Sequence, residues 1–213
     1  MASTTEVRRT RNRRGEGVQL RDEIVSAAGK LLEETGRDEA VTLRAVARVI
    51  GITAPAIYPH FDDRDQILYA LVSRTFGQFA DALRSAAERE TEPVARLRAV
   101  ACAYLTFATD HANLYRVLFE RHHAPAAVER PYMPERVGSM VGAEAFGELM
   151  GAVRACMDSG DSAAPSVEQA ATQWWVGLHG LATLRASMPY FPWPPLDEQL
   201  DDLTDQLVYL RRT

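Results

Sequence analysis

The sequence predicts an all-α protein: a compact three-helix helix-turn-helix head followed by a larger helical body. Three observations lead there. Apolar residues recur at spacings of three and four along most of the chain, Gly36, Gly51 and Pro59 stop those stripes where helices should end, and no stretch alternates as a half-buried strand would. With 213 residues, 46% apolar and 25% charged, the composition is that of a soluble globular protein and not of a disordered segment. No apolar run approaches the roughly 20 residues of a spanning helix. The basic opening MASTTEVRRTRNRRGEG lacks the apolar core of a secretory signal, so a cytoplasmic location without a membrane partner is expected. Cys102 and Cys156 then read as reduced, buried thiols.

The first stripe, Ile24, Ala27, Ala28, Leu31 and Leu32, ends at Gly36, a residue suited to a C-terminal cap. Residues 1–19 read as a basic flexible tail and residues 20–61 as the head. Leu43, Val46, Ala47 and Ile50 make a short second helix that Gly51 stops. Thr53 is placed to cap a third, with Pro55 tolerated in its first turn and Pro59 ending it. Asp62 is placed to cap a fourth, whose stripe of Ile67, Leu68, Leu71, Val72, Phe76, Phe79 and Leu83 runs to about Glu90, on the order of 40 Å. Helical stretches follow near residues 93–109, 112–121, 135–158, 166–187 and 196–211, two pairs of them parted by the proline-rich connectors HHAPAAVERPYMPE and SMPYFPWPP. Residues 62–213 are thus expected to form the second domain.

A net charge of -5 conceals an asymmetry. Residues 1–61 carry ten Lys+Arg against eight Asp+Glu, whereas residues 62–213 carry fourteen against twenty-one. Five of the arginines, Arg8, Arg9, Arg11, Arg13 and Arg14, stand within seven residues. A basic end on an acidic chain suits an anionic partner. The alternative is a solvated tail.

Residues 42–61, TLRAVARVIGITAPAIYPHF, carry the most informative pattern. Two short helices meet at a tight turn. Ala47 falls where a large side chain would separate them, Gly51 permits the backbone conformation of the turn, and Ile57 fills the core with Val46 and Ile52. A helix-turn-helix sets its second helix into the major groove of DNA. Short residues at its start, Thr53, Ala54 and Ala56, suit close approach to base edges and the thymine methyl.

With Tyr58, His60-Phe61, Arg64 and Ile67-Leu68 behind it, this segment resembles the TetR family over about residues 20–70, with Arg64 where a lysine is usual. The resemblance implies DNA-contacting roles for Thr42, Arg44, Thr53, Ala54, Pro55, Ala56, Tyr58, His60 and Arg64. It also implies a homodimer on double-stranded operator DNA and a small-molecule effector held in the body. Tyr58 alone also reads as half-buried packing. The arginine tail would add phosphate or minor-groove contacts.

In the body, Trp175, His179 and Gly180 within QWWVGLHGLATL resemble the Trp-His-Gly pattern of one branch of TetR-type C-terminal domains. Gly177 and Gly180 would let another helix approach closely, and His179 also reads as a hydrogen-bonded core histidine. Leu196, Leu200, Leu203, Leu207 and Leu210 form a narrow seam that packs on another helix, either a partner subunit's or the chain's own. Tyr104, Phe107, His111, Tyr115, Phe119, Met140, Met150, Trp174, Trp175 and His179 are the candidate walls of an effector cavity for an apolar or aromatic molecule.

Nucleophile elbows, phosphate loops, dinucleotide fingerprints and paired metal-ligand spacings do not occur, so no enzyme, no cofactor and no metal is expected. His111, Glu120, His122 and His123 are the one cluster with ligand chemistry, and adjacent histidines point apart on a helix. The function expected is a DNA-binding regulator, most simply a repressor released by its effector. A helical carrier protein with a vestigial head is the alternative, and an enzyme comes third.

Overall fold

The computed structural model describes residues 16–120 and 141–211. Arg8, Arg9, Arg11, Arg13, Arg14, His122, His123 and Met140 lie outside them. The described residues form eight α-helices, and two compact units part between Leu71 and Val72, inside a helix, whereas the sequence pattern places the division after Phe61.

In the first unit, α1 (Glu16–Thr35) buries Ile24, Val25, Ala27, Ala28, Leu31 and Leu32, two neighbouring positions per turn on one side. A 3-10 turn at Asp38–Ala40 leads into α2 (Leu43–Ile50), which buries Val46 and Ala47. Thr42 caps α2: its backbone is extended, and its hydroxyl oxygen accepts the Ala45 N–H at 3.1 Å. At the other end Gly51 takes φ 71°. The Ile52 N–H then reaches back to the Ala47 carbonyl at 2.9 Å, and the Gly51 N–H to that of Arg48. Two carbonyls left open by the helix end are thereby satisfied, and the chain turns sharply.

The third helix expected after Thr53 is not an α-helix. Ala54–Ala56 form a 3-10 turn followed by hydrogen-bonded turns through His60, and Thr53 makes no side-chain cap. The prolines explain it. Pro55 and Pro59 have no N–H, so neither closes an α-type bond, and the local bonds run from Ala56 to Thr53 and from Ile57 to Ala54, three residues back. Ile57 and Phe61 are nonetheless buried.

The long helix α3 (Arg64–Glu88) spans 25 residues. Asp63, one residue after the expected Asp62, accepts the Gln66 N–H at 2.8 Å, while the Gln66 carboxamide oxygen accepts the Asp62 N–H at 3.2 Å. Its Ile67, Leu68 and Leu71 are buried and belong to the first unit.

The second unit takes the rest of α3 with α4 (Pro93–Asp110), α5 (Ala112–Glu120), α6 (Ala143–Asp158), α7 (Val167–Ser187) and α8 (Leu196–Leu207). Helix α4 is the hub, packed against α5, α6, α7 and α8. Its buried residues Leu97, Val100, Ala101, Tyr104, Leu105 and Ala108 follow the helical period through one core. Ion pairs fasten the rim: Arg84 of α3 to Glu148 of α6 at 2.8 Å, and Arg98 of α4 to Asp201 and Asp205 of α8.

Helix α8 stops at Leu207, short of the expected residue 211. Tyr209 adopts φ 55°, the Leu210 N–H returns to the Asp205 carbonyl at 2.9 Å, and Leu210 pairs with Ser162 as an isolated bridge. The last leucine of the seam is therefore off the helix.

A left-handed residue with a side chain costs about 1–2 kcal/mol. A Cβ at Gly51 meets nothing within 4 Å, so Gly51→Ala isolates that backbone cost. Chemical denaturation should show the variant destabilised by about 1–2 kcal/mol. An unchanged midpoint would mean that the turn relaxes freely.

Candidate functional site

The first unit exposes most of the candidate residues around its tight turn. Thr42, Arg44, Thr53 and Pro55 are exposed, Ala54, Ala56 and His60 are half-buried, and Tyr58 is 56% exposed. The Tyr58 ring is thus more exposed than a core ring, and its hydroxyl meets no partner among the described residues. Among the described residues Arg44 forms no ion pair. Short side chains and an exposed guanidinium placed around one turn are what close contact with an anionic double helix requires.

Arg64 departs from its expected role as an open cation. Its Nε donates to the Val41 carbonyl at 2.9 Å, and Nη2 donates to the Asp38 carboxylate at 2.7 Å and to the Asp38 carbonyl. Asp38 is nearly buried and lies 26 residues away, so no spacing in the sequence announces the pair. Another cation, Arg21, stacks over the Phe61 ring at 4.8 Å.

The second unit gathers many of its candidate residues into one aromatic cluster. Tyr104 of α4 is fully buried, and its hydroxyl lies 2.8 Å from that of Tyr115 of α5. The Tyr115 hydroxyl lies 2.7 Å from Nδ1 of His179 of α7. Phe119 stacks on Tyr115 and His179, with centroids 4.9 and 4.6 Å away, and Phe107 contacts the exposed His111 at 4.7 Å. Trp175 joins through Phe119, and Met150 is half-buried against the same core. Three phenylalanines belong to the cluster that the candidate list omits: Phe79 against Tyr104, Phe107 and Tyr115, Phe76 against Phe119, and Phe146 against Trp175. Phe76 and Phe79 stand on the α3 stripe, which periodicity marks only as core. Trp174, by contrast, is no cavity wall: it is fully buried with its indole N–H on Thr204 Oγ1 at 3.1 Å.

The direction of the polar chain follows from its donors. Burial pushes the Tyr104 and Tyr115 phenols well above their ordinary values, so both carry their protons. If Tyr104 donates to Tyr115 and Tyr115 to Nδ1 of His179, every buried proton has an acceptor. The reverse order strands the Tyr104 proton at a cost of about 1–3 kcal/mol. His179 is therefore neutral with its proton on Nε2, in keeping with the lowering of its pKa by burial.

The leucine seam packs within the chain. Leu200 is buried in the core, and Leu203, Leu207 and Leu210 are half-buried against it. A Cβ on Gly177 of α7 would lie 2.6 Å from Leu207 Cδ1 and 3.1 Å from Leu203, so Gly177 is the residue that admits α8, while Gly180 faces no such neighbour. Leu196 is 40% exposed. Within the chain, the period of the seam is met by α7 and α4.

Comparison with known proteins follows the same two units. Residues 24–71 match the bacterial regulatory proteins of the tetR family, and residues 97–209 match the tetracyclin repressor-like C-terminal domain, a model not named for the Trp-His-Gly pattern. A helix-turn-helix head with an all-α body of this kind defines a bacterial regulatory protein. The chain belongs to the TetR family. It is similar to the HTH-type transcriptional activator FasR of Mycolicibacterium smegmatis, 26% identical over 53% of this chain and 52% of FasR. It is also similar to the nucleoid occlusion factor SlmA of Photobacterium profundum, 26% identical over 46% of this chain and 50% of SlmA. The chain spans about half the length of the curated relatives it matches. A solved Rhodococcus sp. RHA1 protein of unknown function has a similar fold, with a TM-score of 0.74 at 29% identity over 89% of this chain and 94% of that one.

Because burial lowers the folded-state pKa of His179, the unfolded chain binds its proton more readily. The stability that this gives is complete above the unfolded value of about 6.5 and is lost as pH falls through the lower folded value. Urea unfolding from about pH 8 to about pH 5 should show that fall in the wild type, and His179→Gln should lack that part of it. Curves that stay parallel would remove His179 from the titration. Tyr115→Phe, which strands both neighbours, should cost about 1–3 kcal/mol at neutral pH.

Proposed function

We propose that this chain is a DNA-binding transcription regulator whose body answers a small molecule, and not an enzyme. The observation that carries the reading is the helix-turn-helix built on Thr42 and Gly51, with Arg44, Thr53, Pro55 and Tyr58 exposed around it, in the segment that matches the tetR-family model. Residues 20–71 act as the reading head on double-stranded DNA and residues 72–213 as the sensing and dimerising part, with α3 running from one into the other. The start of α2 offers backbone amides and Arg44 to a phosphate. Thr53, Ala54 and Ala56 meet base edges, Tyr58 and His60 lie along the backbone, and the arginines of residues 8–14 add charge.

Two copies on a palindromic operator would place two heads in successive major grooves. Dimerisation falls to the exposed apolar side chains of α7 and the connector after it, Val176, Leu184, Met188 and Phe191, with Leu196 at the start of α8. The effector is an apolar or aromatic molecule held among Phe119, Trp175 and Phe146, with a hydrogen-bond acceptor for His179 Nε2–H. It acts by binding one arrangement of the dimer better than another. Repression relieved by the effector is the sign expected; the FasR likeness makes activation the second outcome to score.

Selection of duplexes from a random pool, followed by anisotropy titration, tests the reading. The wild type should enrich one palindromic sequence, and Tyr58→Phe should weaken it by roughly 1–2 kcal/mol without changing the melting temperature. No enriched sequence would refute DNA reading. A reporter driven by the selected sequence then gives the sign of regulation.

The dimer surface is tested by contrast. Leu184→Asp should give folded monomers in sedimentation, because a charge enters an apolar contact only between chains. Leu203→Asp should instead lower the melting temperature, since that side chain packs on Gly177 of its own chain. The opposite pattern would return the interface to the leucine seam.

A further inference from the structure

We propose that Arg64 is a positioning residue, which clamps the entry of α2 to the first turn of α3 and does not serve as a phosphate contact. The inference rests on the reading of the head as a DNA-binding element, and it deepens that reading. Arg64 opens α3, and its guanidinium holds three acceptors from the segment before α2: the Val41 carbonyl through Nε at 2.9 Å, and through Nη2 the Asp38 carboxylate at 2.7 Å and the Asp38 carbonyl. Nη1 stands 3.6 Å from Asp65. Side-chain exposure is 27% for Arg64 and 11% for Asp38, so the pair is sheltered from solvent.

What the clamp fixes is specific. Val41 immediately precedes Thr42, whose hydroxyl accepts the Ala45 N–H and whose carbonyl accepts the Val46 N–H at 2.9 Å. Holding the Val41 carbonyl thus holds the capping residue and the direction in which α2 leaves it. Helix α2 packs on the Ala54–Ala56 turn, so both halves of the helix-turn-helix take their place from this anchor. Turning the guanidinium toward a phosphate would give up a sheltered charged hydrogen bond to the Asp38 carboxylate and the bond to the Val41 carbonyl, although the Asp38 carbonyl keeps the Val41 N–H at 2.9 Å. That loss costs more than an exposed phosphate contact returns. The planar fork matters as well as the charge: one ammonium cannot meet Val41 and both Asp38 acceptors in that geometry.

The two roles predict opposite outcomes for charge-conserving and charge-adding variants of the full chain. Binding is measured over a salt series on a duplex that the wild type selects from a random pool and on an unselected duplex of equal length. For a clamp, Arg64→Lys keeps the cation yet weakens the selected duplex by about tenfold or more, the loss of a sheltered charged hydrogen bond. The unselected duplex and the salt slope stay near wild type. Asp38→Asn, which makes the head more positive, does the same. For a phosphate contact, Arg64→Lys binds nearly as the wild type does and Asp38→Asn binds both duplexes at least as tightly. Arg64→Ala then lowers the salt slope by about 0.9, and this pattern overturns the clamp. If Arg64→Lys unfolds, Asp38→Asn decides alone. Amide exchange without DNA separates this inference from the DNA-binding reading. Asp38→Asn should speed exchange at Ala45 and Val46 and leave the α4 amides unchanged, whereas an unmoved α2 overturns the clamp whatever the duplexes show.

Discussion

A tyrosine hydroxyl buried without a partner costs about 1–3 kcal/mol, and Tyr104 sits fully buried at the middle of α4, the helix on which the body is assembled. Satisfying that one oxygen orders two other helices. Tyr115 brings α5 against α4, and His179 ties α5 to α7. Protonated phenols at both tyrosines leave one economical direction for the chain of donors, and that direction sets the His179 tautomer. A polar requirement in an otherwise apolar core thereby fixes the rotation of α7 about its axis, which apolar packing alone leaves softer. The same rotation turns Gly177 toward Leu203 and Leu207, so the docking of α8 follows from it.

The head is governed by backbone donors and acceptors. Helix α2 has eight residues, too few to stand alone, and both of its ends are closed by specific residues. Thr42 takes an N–H at the start, and Gly51 frees the chain to return two N–H groups at the end. The segment after the turn loses two donors to Pro55 and Pro59 and settles for a 3-10 turn. Ile57 and Phe61 still reach the core from it, because burial asks only that the side chains arrive.

What the sequence makes legible and what it hides separate along physical lines. Most helix positions, the Gly51 turn and the Tyr58-to-Leu68 pattern are local, each resting on spacings within one or two turns. The structure keeps most of these helices, but the segment after Thr53 is a 3-10 turn and α8 ends early. Contacts between distant segments are not local. Nothing near Arg64 marks Asp38 as its partner, so a sequence reader sees a free cation where the fold has a bound one. The leucine seam shows the same limit from the other side. A spacing of four and three says that a helix packs but not on what, and the chain's own α7 takes the seam. Phe76 and Phe79 read as ordinary core because a period cannot tell the wall of an aromatic cluster from filling.

Under the DNA-binding reading, this head must discriminate with little polar chemistry. Thr53, Ala54, Pro55 and Ala56 offer a single side-chain hydroxyl among four residues. Discrimination then falls on methyl contacts and on shape, and dispersion forfeits a quarter to a half of its attraction across a gap of about 0.5–1 Å. Long polar side chains absorb such an error by turning their torsions, whereas an alanine has none to turn. Accuracy therefore has to be built into the backbone. Two prolines whose φ is preset near −65° narrow the turn, the left-handed Gly51 fixes its angle to α2, and the guanidinium of Arg64 holds the far end of α2 to α3. A head with long reading side chains could do without that anchor. One that reads with methyl groups cannot, so the same short residues that limit its polar vocabulary make the anchor a condition of recognition.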